Sequence, residues 1–217
     1  MSIFTRQLIL VVSLSISSIT FSQYSEEDWE DRDTWMDVSF IFDQAGIEAG
    51  SYVADIGCHE GYLSIHLAKR VGEGGRVYAE DIDEDRLEAL EEHLQERKLN
   101  NVEVILGDYD DPKLPSNTLD VVIIMDTYHE IREYRTVLDH VYSALKPHGK
   151  IVIIEKLKSR VEGGSRDAQT KAHSLSPGYV KEELKDAGFR VIYENNDLGN
   201  WENDENKVIW MLVGRRY

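Results

Sequence analysis

The chain has 217 residues, which suits one domain built on a single sizeable core. It carries 41 Asp and Glu against 24 Lys and Arg, a formal net charge of -17, so its surface repels phosphate backbones and anionic headgroups; nucleic acid is excluded as the expected partner. One cysteine, Cys58, excludes an intramolecular disulfide, a zinc–cysteine cluster and any mechanism that needs a cysteine pair.

Arg6 precedes an apolar run from Leu8 to Leu14, which Ser and Ile residues extend to Ile19. Thr20-Phe21-Ser22 then presents a cleavage pattern before Gln23. This is the layout of a secretory signal peptide, so residues 1–22 are set apart from a domain at 23–217. The apolar stretch is shorter than the roughly 17–25 residues of a spanning helix, and an uncleaved membrane anchor is the alternative. Under either reading the basic residue lies before the apolar run and Glu26, Glu27, Asp28, Glu30, Asp31 and Asp33 lie after it. That asymmetry places the domain outside the cytoplasm, with the periplasm as the expected location.

Ser25 with Asp28 resembles a capping box and opens a predicted helix carrying Trp29, Trp35, Val38, Ile41 and Phe42. Tyr52-Val53-Ala54 is a short buried strand ending at Asp55-Ile56-Gly57, and Tyr62–Val71 reads as a helix. Arg76–Glu80 is a second strand. Asp83 caps a helix whose apolar residues are Leu87, Leu90 and Leu94. Val102–Leu106 is a third strand, and Leu119–Met125 a fourth, apolar enough to be buried on both faces. A helix is expected over Ile131–Leu145. Pro147-His148-Gly149 then turns the chain into a fifth strand, Lys150–Glu155. Ser176-Pro177 starts the last helix and Ala187-Gly188 ends it. Two strands close the chain, Phe189–Glu194 and Lys207–Val213. The loop Asn195–Asn206 between them predicts antiparallel pairing. The alternation of strands and helices predicts a mostly parallel sheet covered on both faces.

In such a sheet, ligands bind at the carboxyl ends of the strands, so the residues after each strand carry the functional reading. After the first strand come Asp55-Ile56-Gly57-Cys58-His59-Glu60-Gly61. A dinucleotide fingerprint would need glycine where His59 and Tyr62 stand, which argues against a pyrophosphate cradle and an NAD-type dehydrogenase. After the second strand come Asp81-Ile82-Asp83, after the third Gly107-Asp108-Tyr109, and after the fourth Met125-Asp126-Thr127-Tyr128-His129. Each has a plainer reading as a tight turn, a helix cap, a polar turn or a locally bonded histidine.

Taken together, these four segments resemble the motifs of S-adenosylmethionine (SAM)-dependent methyltransferases, whose first motif is commonly D-x-G-x-G-x-G. Leu145-Lys146-Pro147-His148-Gly149-Lys150 resembles that superfamily's fifth-strand motif. Thr127-Tyr128-His129-Glu130-Ile131 and His173-Ser174-Leu175-Ser176-Pro177 resemble a subgroup of small, often exported methyltransferase-domain proteins. The resemblance implies a three-layer Rossmann-like methyltransferase fold on a mostly parallel seven-stranded sheet with an antiparallel C-terminal strand. It implies S-adenosylmethionine as cofactor, approached by Asp55, Gly57, His59 and Gly61, with Asp81 on the ribose and Ile82 beside it. Asp108 would accept from the adenine amino group, Tyr109 would cover the ring, and Asp126 would lie near the sulfonium. His129 would contact the acceptor or act as a base. The implied reaction is SN2 methyl transfer to a small-molecule substrate, and the motifs require no metal. With only Cys58, arsenic methylation is not expected. The competing reading is a non-catalytic exported binding module on the same fold, because SAM is made in the cytoplasm.

Overall fold

The computed structural model describes residues 25–217; the signal segment expected at 1–22 lies outside the described residues. Seven strands form one sheet: β1 Tyr52–Ile56, β2 Arg76–Asp81, β3 Val102–Leu106, β4 Leu119–Met125, β5 Leu145–Lys158, β6 Arg190–Asn195 and β7 Lys207–Arg215. The helices are α1 Trp29–Arg32, α2 Val38–Ala45, α3 Tyr62–Val71, α4 Glu84–Glu96, α5 Tyr134–Ala144, α6 Arg166–Thr170 and α7 Pro177–Asp186.

Strand order is β3-β2-β1-β4-β5-β7-β6. All neighbours pair in parallel except β7, which runs antiparallel to both β5 and β6. The fold is therefore the expected three-layer α/β architecture with an antiparallel C-terminal strand.

Period-two alternation explains why both sheet faces are covered. Val53, Val121, Ile123, Val152 and Ile154 point to one face and pack with Ile41, Phe42, Leu63 and Leu67 of α2 and α3. Their neighbours Ala54, Ile56, Val122, Ile124, Ile151 and Ile153 point to the other and pack with Val137, Leu138, Val180 and Leu184 of α5 and α7. Leu87, Leu90 and Leu94, the apolar stripe of α4, pack with Ile65 of α3 and Ala79 of β2. Asp83 caps α4 as expected, its side chain accepting the Asp85 amide at 3.2 Å.

The structure departs from the sequence reading in three places. The continuous N-terminal helix is broken into α1 and α2. Asp37 caps α2 by accepting the Phe40 amide at 2.9 Å, which restarts the helix. The break lets Trp35 meet Trp201, ring centroids 4.8 Å apart, while Met36 enters the core. Second, β5 runs on to Lys158, because β7 pairs with it continuously from Lys150↔Arg215 to Lys158↔Lys207. Its register against β4 jumps from Leu119↔Leu145 to Val121↔Lys150, so the expected turn at 147–149 survives as a bulge with His148 at φ +66°. Third, α5 starts at Tyr134, after a 3-10 turn over Tyr128–Glu130.

The order reverses at β1, whose chain crosses to β2 on one side while β4 lies on the other. A crevice opens outside the carboxyl ends of these strands, as expected for such a switch point.

Candidate active site

That crevice is a cleft of about 1050 Å³. Residues from the tips of β1, β2, β3 and β4 meet in its wall. Of the residues singled out in sequence, Asp55, Gly57, His59, Asp81, Ile82, Asp108, Tyr109 and Asp126 line it. Gly61 and His129 do not.

The first loop is held by backbone contacts. The amides of Gly57 and Cys58 both donate to the Glu80 carbonyl, at 2.8 and 2.9 Å. Gly57 has φ +73°, and a Cβ there would collide with the adjacent Thr127 side chain. Gly61 opens α3 at φ +99°, and a Cβ there would strike Leu90 of α4. Gly61 thus shapes the turn through α3–α4 packing and not by facing the cleft. His59 occupies a glycine position of the motif yet keeps the glycine-like backbone, φ +53°. Its amide donates to Asp81 Oδ2 at 2.9 Å. Burial, reinforced by the nearby Arg86 cation, pulls the His59 pKa down to about 4, so its ring is neutral at physiological pH.

Asp81 sits at the tip of β2 with 7 % of its surface exposed. One carboxylate oxygen accepts the His59 amide and the other the Asp83 amide, at 3.1 Å. A carboxylate oxygen has two acceptor sites, so each retains capacity toward the cleft. Ile82 and Tyr109 are exposed at its mouth, Tyr109 by 81 %. Asp108 pairs with Lys113 Nζ at 3.0 Å.

Two further acids are buried here. Asp55 accepts the Ser64 hydroxyl at 2.7 Å, so its carboxylate is directed into α3. Burial raises its pKa to about 6. Glu80, next to Asp81, fills the space that Gly107 leaves by lacking a side chain. Burial first, then the charge of Asp81, pushes its pKa up to about 8.

The far end of the cleft holds groups that sequence reasoning missed. Arg32 of α1 lines the cleft and is 6 % exposed. Its guanidinium lies 4.4 Å from the Tyr62 ring centre and 5.1 Å from that of Trp201, and donates to Met125 Sδ at 3.0 Å. Asp126, at φ +52°, forms a buried ion pair with Lys156 of β5. Lys156 in turn lies 4.4 Å from the Trp201 ring centre. The one local signal was a lysine and an aspartate that each directly follow an apolar run, Ile151–Ile154 with Glu155 and Val121–Met125. Arg32 and Trp201 come from an acidic helix and a polar loop, and nothing in those segments marks them.

His129 is buried behind the wall. Its Nδ1 lies 2.9 Å from Glu155 Oε2, and its backbone amide donates to Glu155 Oε1 at 3.0 Å. Burial alone would lower its pKa, but the Glu155 carboxylate, aided by Asp126, outweighs this and holds it above the usual value. The 3-10 turn after β4 sets the imidazole against Glu155 of β5, and His129 is not among the residues that line the cleft.

These features fit S-adenosylmethionine: a glycine turn with no room for a side chain, a buried acid at the β2 tip, and exposed apolar side chains at the mouth.

Residues 53–149 match the methyltransferase domain family. The chain is similar to a SAM-dependent methyltransferase of Aquifex aeolicus, with TM-score 0.73, 26% identity, and coverage of 86% of this chain and 93% of that one. It is also similar to demethylmenaquinone methyltransferases. One from Geobacillus sp. strain WCH70 is 35% identical over 109 residues, 50% of this chain and 47% of that protein. One from Oceanobacillus iheyensis is 32% identical over 109 residues, 50% of this chain and 46% of that protein. The chain spans about half the length of these curated relatives. Its sheet order, its strand-tip cleft and the methyltransferase-domain match at 53–149 support the superfamily of SAM-dependent methyltransferases, and S-adenosylmethionine as the cofactor.

Proposed function

We propose that this chain is an enzyme that transfers a methyl group from S-adenosylmethionine to a small-molecule acceptor in an exported compartment. The observation that carries the reading is the position of Asp81, a buried carboxylate at the β2 tip facing a cleft floored by the Gly57 turn. Bound SAM supplies an electrophilic methyl group on a sulfonium.

The protein's own groups bind and align. Asp81 offers its remaining lone pairs to the ribose hydroxyls. Ile82 and Tyr109 flank the adenine, and Asp108 accepts from its amino group. Neutral His59 lines the loop without adding positive charge beside a cation. The Asp126 carboxylate lies at the end where the sulfonium is expected, and Lys156 fixes its orientation. Apolar groups of Tyr62, Leu63, Met125 and Ile131 line the same cleft, which favours exclusion of water and alignment of donor with acceptor. The relatives named for demethylmenaquinone suggest a quinone-type acceptor, and the acidic surface disfavours nucleic acid.

A binding module is the second reading, and one observation favours it. His129 does not line the cleft, and the imidazole that does, His59, is too weakly basic to take a proton near neutral pH. Calorimetry with SAM followed by incubation with methyl-labelled SAM and demethylmenaquinone separates the readings. Binding with transfer supports the enzyme, binding without transfer favours the module, and no binding overturns the enzyme. Export is tested by N-terminal sequencing of protein from fractionated cells. A chain starting near Gln23 outside the cytoplasm is expected, whereas a cytoplasmic pool that retains Met1 refutes it.

A further inference from the structure

The His129-Glu130 pair and the His173 segment stood out in sequence, and of them only Glu130 lines the cofactor cleft. The structure brings them together. His129 comes from the 3-10 turn after β4, and His173 from the segment after α6, where it adopts φ +50°. Their rings meet edge to face with centroids 5.6 Å apart. Glu130 reaches between them: its Oε1 lies 3.7 Å from His129 Nε2 and 3.2 Å from His173 Nδ1. One donor atom from each of the three residues falls within 4.8 Å of the other two.

The side chain of His129 is 2 % exposed, yet its Nε2 has no hydrogen-bond partner among the described residues. A buried polar atom left in this state is uncommon and calls for an explanation. Its other nitrogen is fixed by the Glu155 carboxylate, itself fully buried and also bound by the His129 amide. That arrangement sets the ring so that Nε2 is directed toward Glu130 and His173. A carboxylate behind a histidine whose second nitrogen faces other donors is the support usual for metal-ligating imidazoles.

We propose that His129 Nε2, His173 and Glu130 form a binding site for a first-row divalent metal ion, Zn²⁺ foremost. Two imidazoles and a carboxylate suit that ion, and three protein ligands leave an open coordination position. Metal–ligand distances of about 2.0–2.2 Å in tetrahedral geometry put donor atoms roughly 3.4 Å apart. The two separations through Glu130 already bracket that value. The remaining contraction falls on Glu130 and His173, whose exposed side chains are free to adjust, while buried His129 stays in place. Asp126, on the other side of the ring, is taken by Lys156, so the ion sits on the Nε2 side. Glu130 also lines the cleft, which places the open position at the cleft edge.

The test uses the full chain and the metal alone, so it does not depend on methyl transfer. Zn²⁺ affinity is read by competition with a chromophoric chelator, and geometry by the visible spectrum of the Co²⁺-loaded protein. The wild type should bind one ion per chain with a tetrahedral Co²⁺ spectrum. His173→Ala, at an exposed position that the core does not need, should weaken Zn²⁺ at least tenfold and abolish that spectrum. Glu155→Gln, at a positioning residue, should weaken binding on the order of 10–100-fold. His93→Ala, in the separate surface group Glu26, His93 and Glu96, should change nothing. Absence of Zn²⁺ binding at micromolar concentration overturns the proposal, as does equal affinity in wild type and His173→Ala. Loss of binding in His93→Ala alone also overturns it, by moving the site to the other cluster.

Discussion

Glu80→Gln tests how the cleft treats buried charge. Glu80 is 3 % exposed, stands beside Asp81 and near Asp55, and has its pKa raised from 4.5 to about 8. Between those values the folded chain keeps a proton that the unfolded chain has released. Raising pH through that window therefore destabilises the wild type, and below pH 4.5 the penalty is absent. At about 1.4 kcal/mol per pK unit, the full shift bounds the penalty at about 5 kcal/mol. Water entering from the cleft and relaxation around the charge reduce it, and we expect roughly 2–3 kcal/mol by pH 8.5. Glutamine has the same shape and no charge. The stability of Glu80→Gln relative to wild type should therefore rise with pH across the window. Any effect of the amide on packing adds only a constant offset. Urea unfolding of both proteins at pH 5, 6, 7 and 8.5 measures the difference, and the comparison cancels the parallel contribution of Asp55. A stability difference that is flat across this range, or that falls with pH, refutes the account of Glu80 as a buried acid that stays protonated.

Asp81→Ala should weaken SAM binding by about 3 kcal/mol, on the order of 100-fold, because it removes charge-assisted hydrogen bonds to two hydroxyls; isothermal calorimetry checks this, and an unchanged Kd removes Asp81 from the ribose role. Gly61→Ala should destabilise the fold by about 1–3 kcal/mol, since φ +99° is strained for alanine and its Cβ meets Leu90; a melting temperature equal to wild type would contradict the packing described. Lys156→Met should cost about 3–5 kcal/mol by taking the cation away from buried Asp126, and adding Asp126→Asn should recover much of that loss in denaturant melts. If the double variant is as unstable as the single one, the ion pair is not the source of the cost.

Several parts of this architecture were legible because their causes are local. The limits of α3 at Tyr62 and Val71 follow from a glycine before it and a glycine after it, around an apolar face. Asp83 caps α4 through an amide two residues away. The core strands β1 and β4 are short apolar runs, and their residues split between the two faces by simple alternation. With the strand tips in order along the chain, the residues that follow them could be named before it was known how they meet. The loop between β6 and β7 is too polar for a crossover helix, which made antiparallel pairing the natural expectation.

What lay outside the sequence depends on partners distant along the chain. The N-terminal helical pattern breaks at residues 33–37, where Trp35 finds Trp201 and Met36 finds the core; neither partner is marked by local periodicity. β5 extends to Lys158 because β7 offers it hydrogen bonds over that whole length. Arg32, Lys156 and Trp201 converge from an acidic helix, a strand and a polar loop, because the Trp201 ring takes both cations against it and Asp126 offsets the Lys156 charge. His129 shows the same division. A histidine after the fourth strand was readable as chemistry, but its direction was set by Glu155, a carboxylate 26 residues away on the neighbouring strand. Sequence determines which residues stand at the strand tips, since spacing along the chain is local. Only the tertiary structure decides which way each side chain turns there, since that choice goes to whichever buried partner satisfies it.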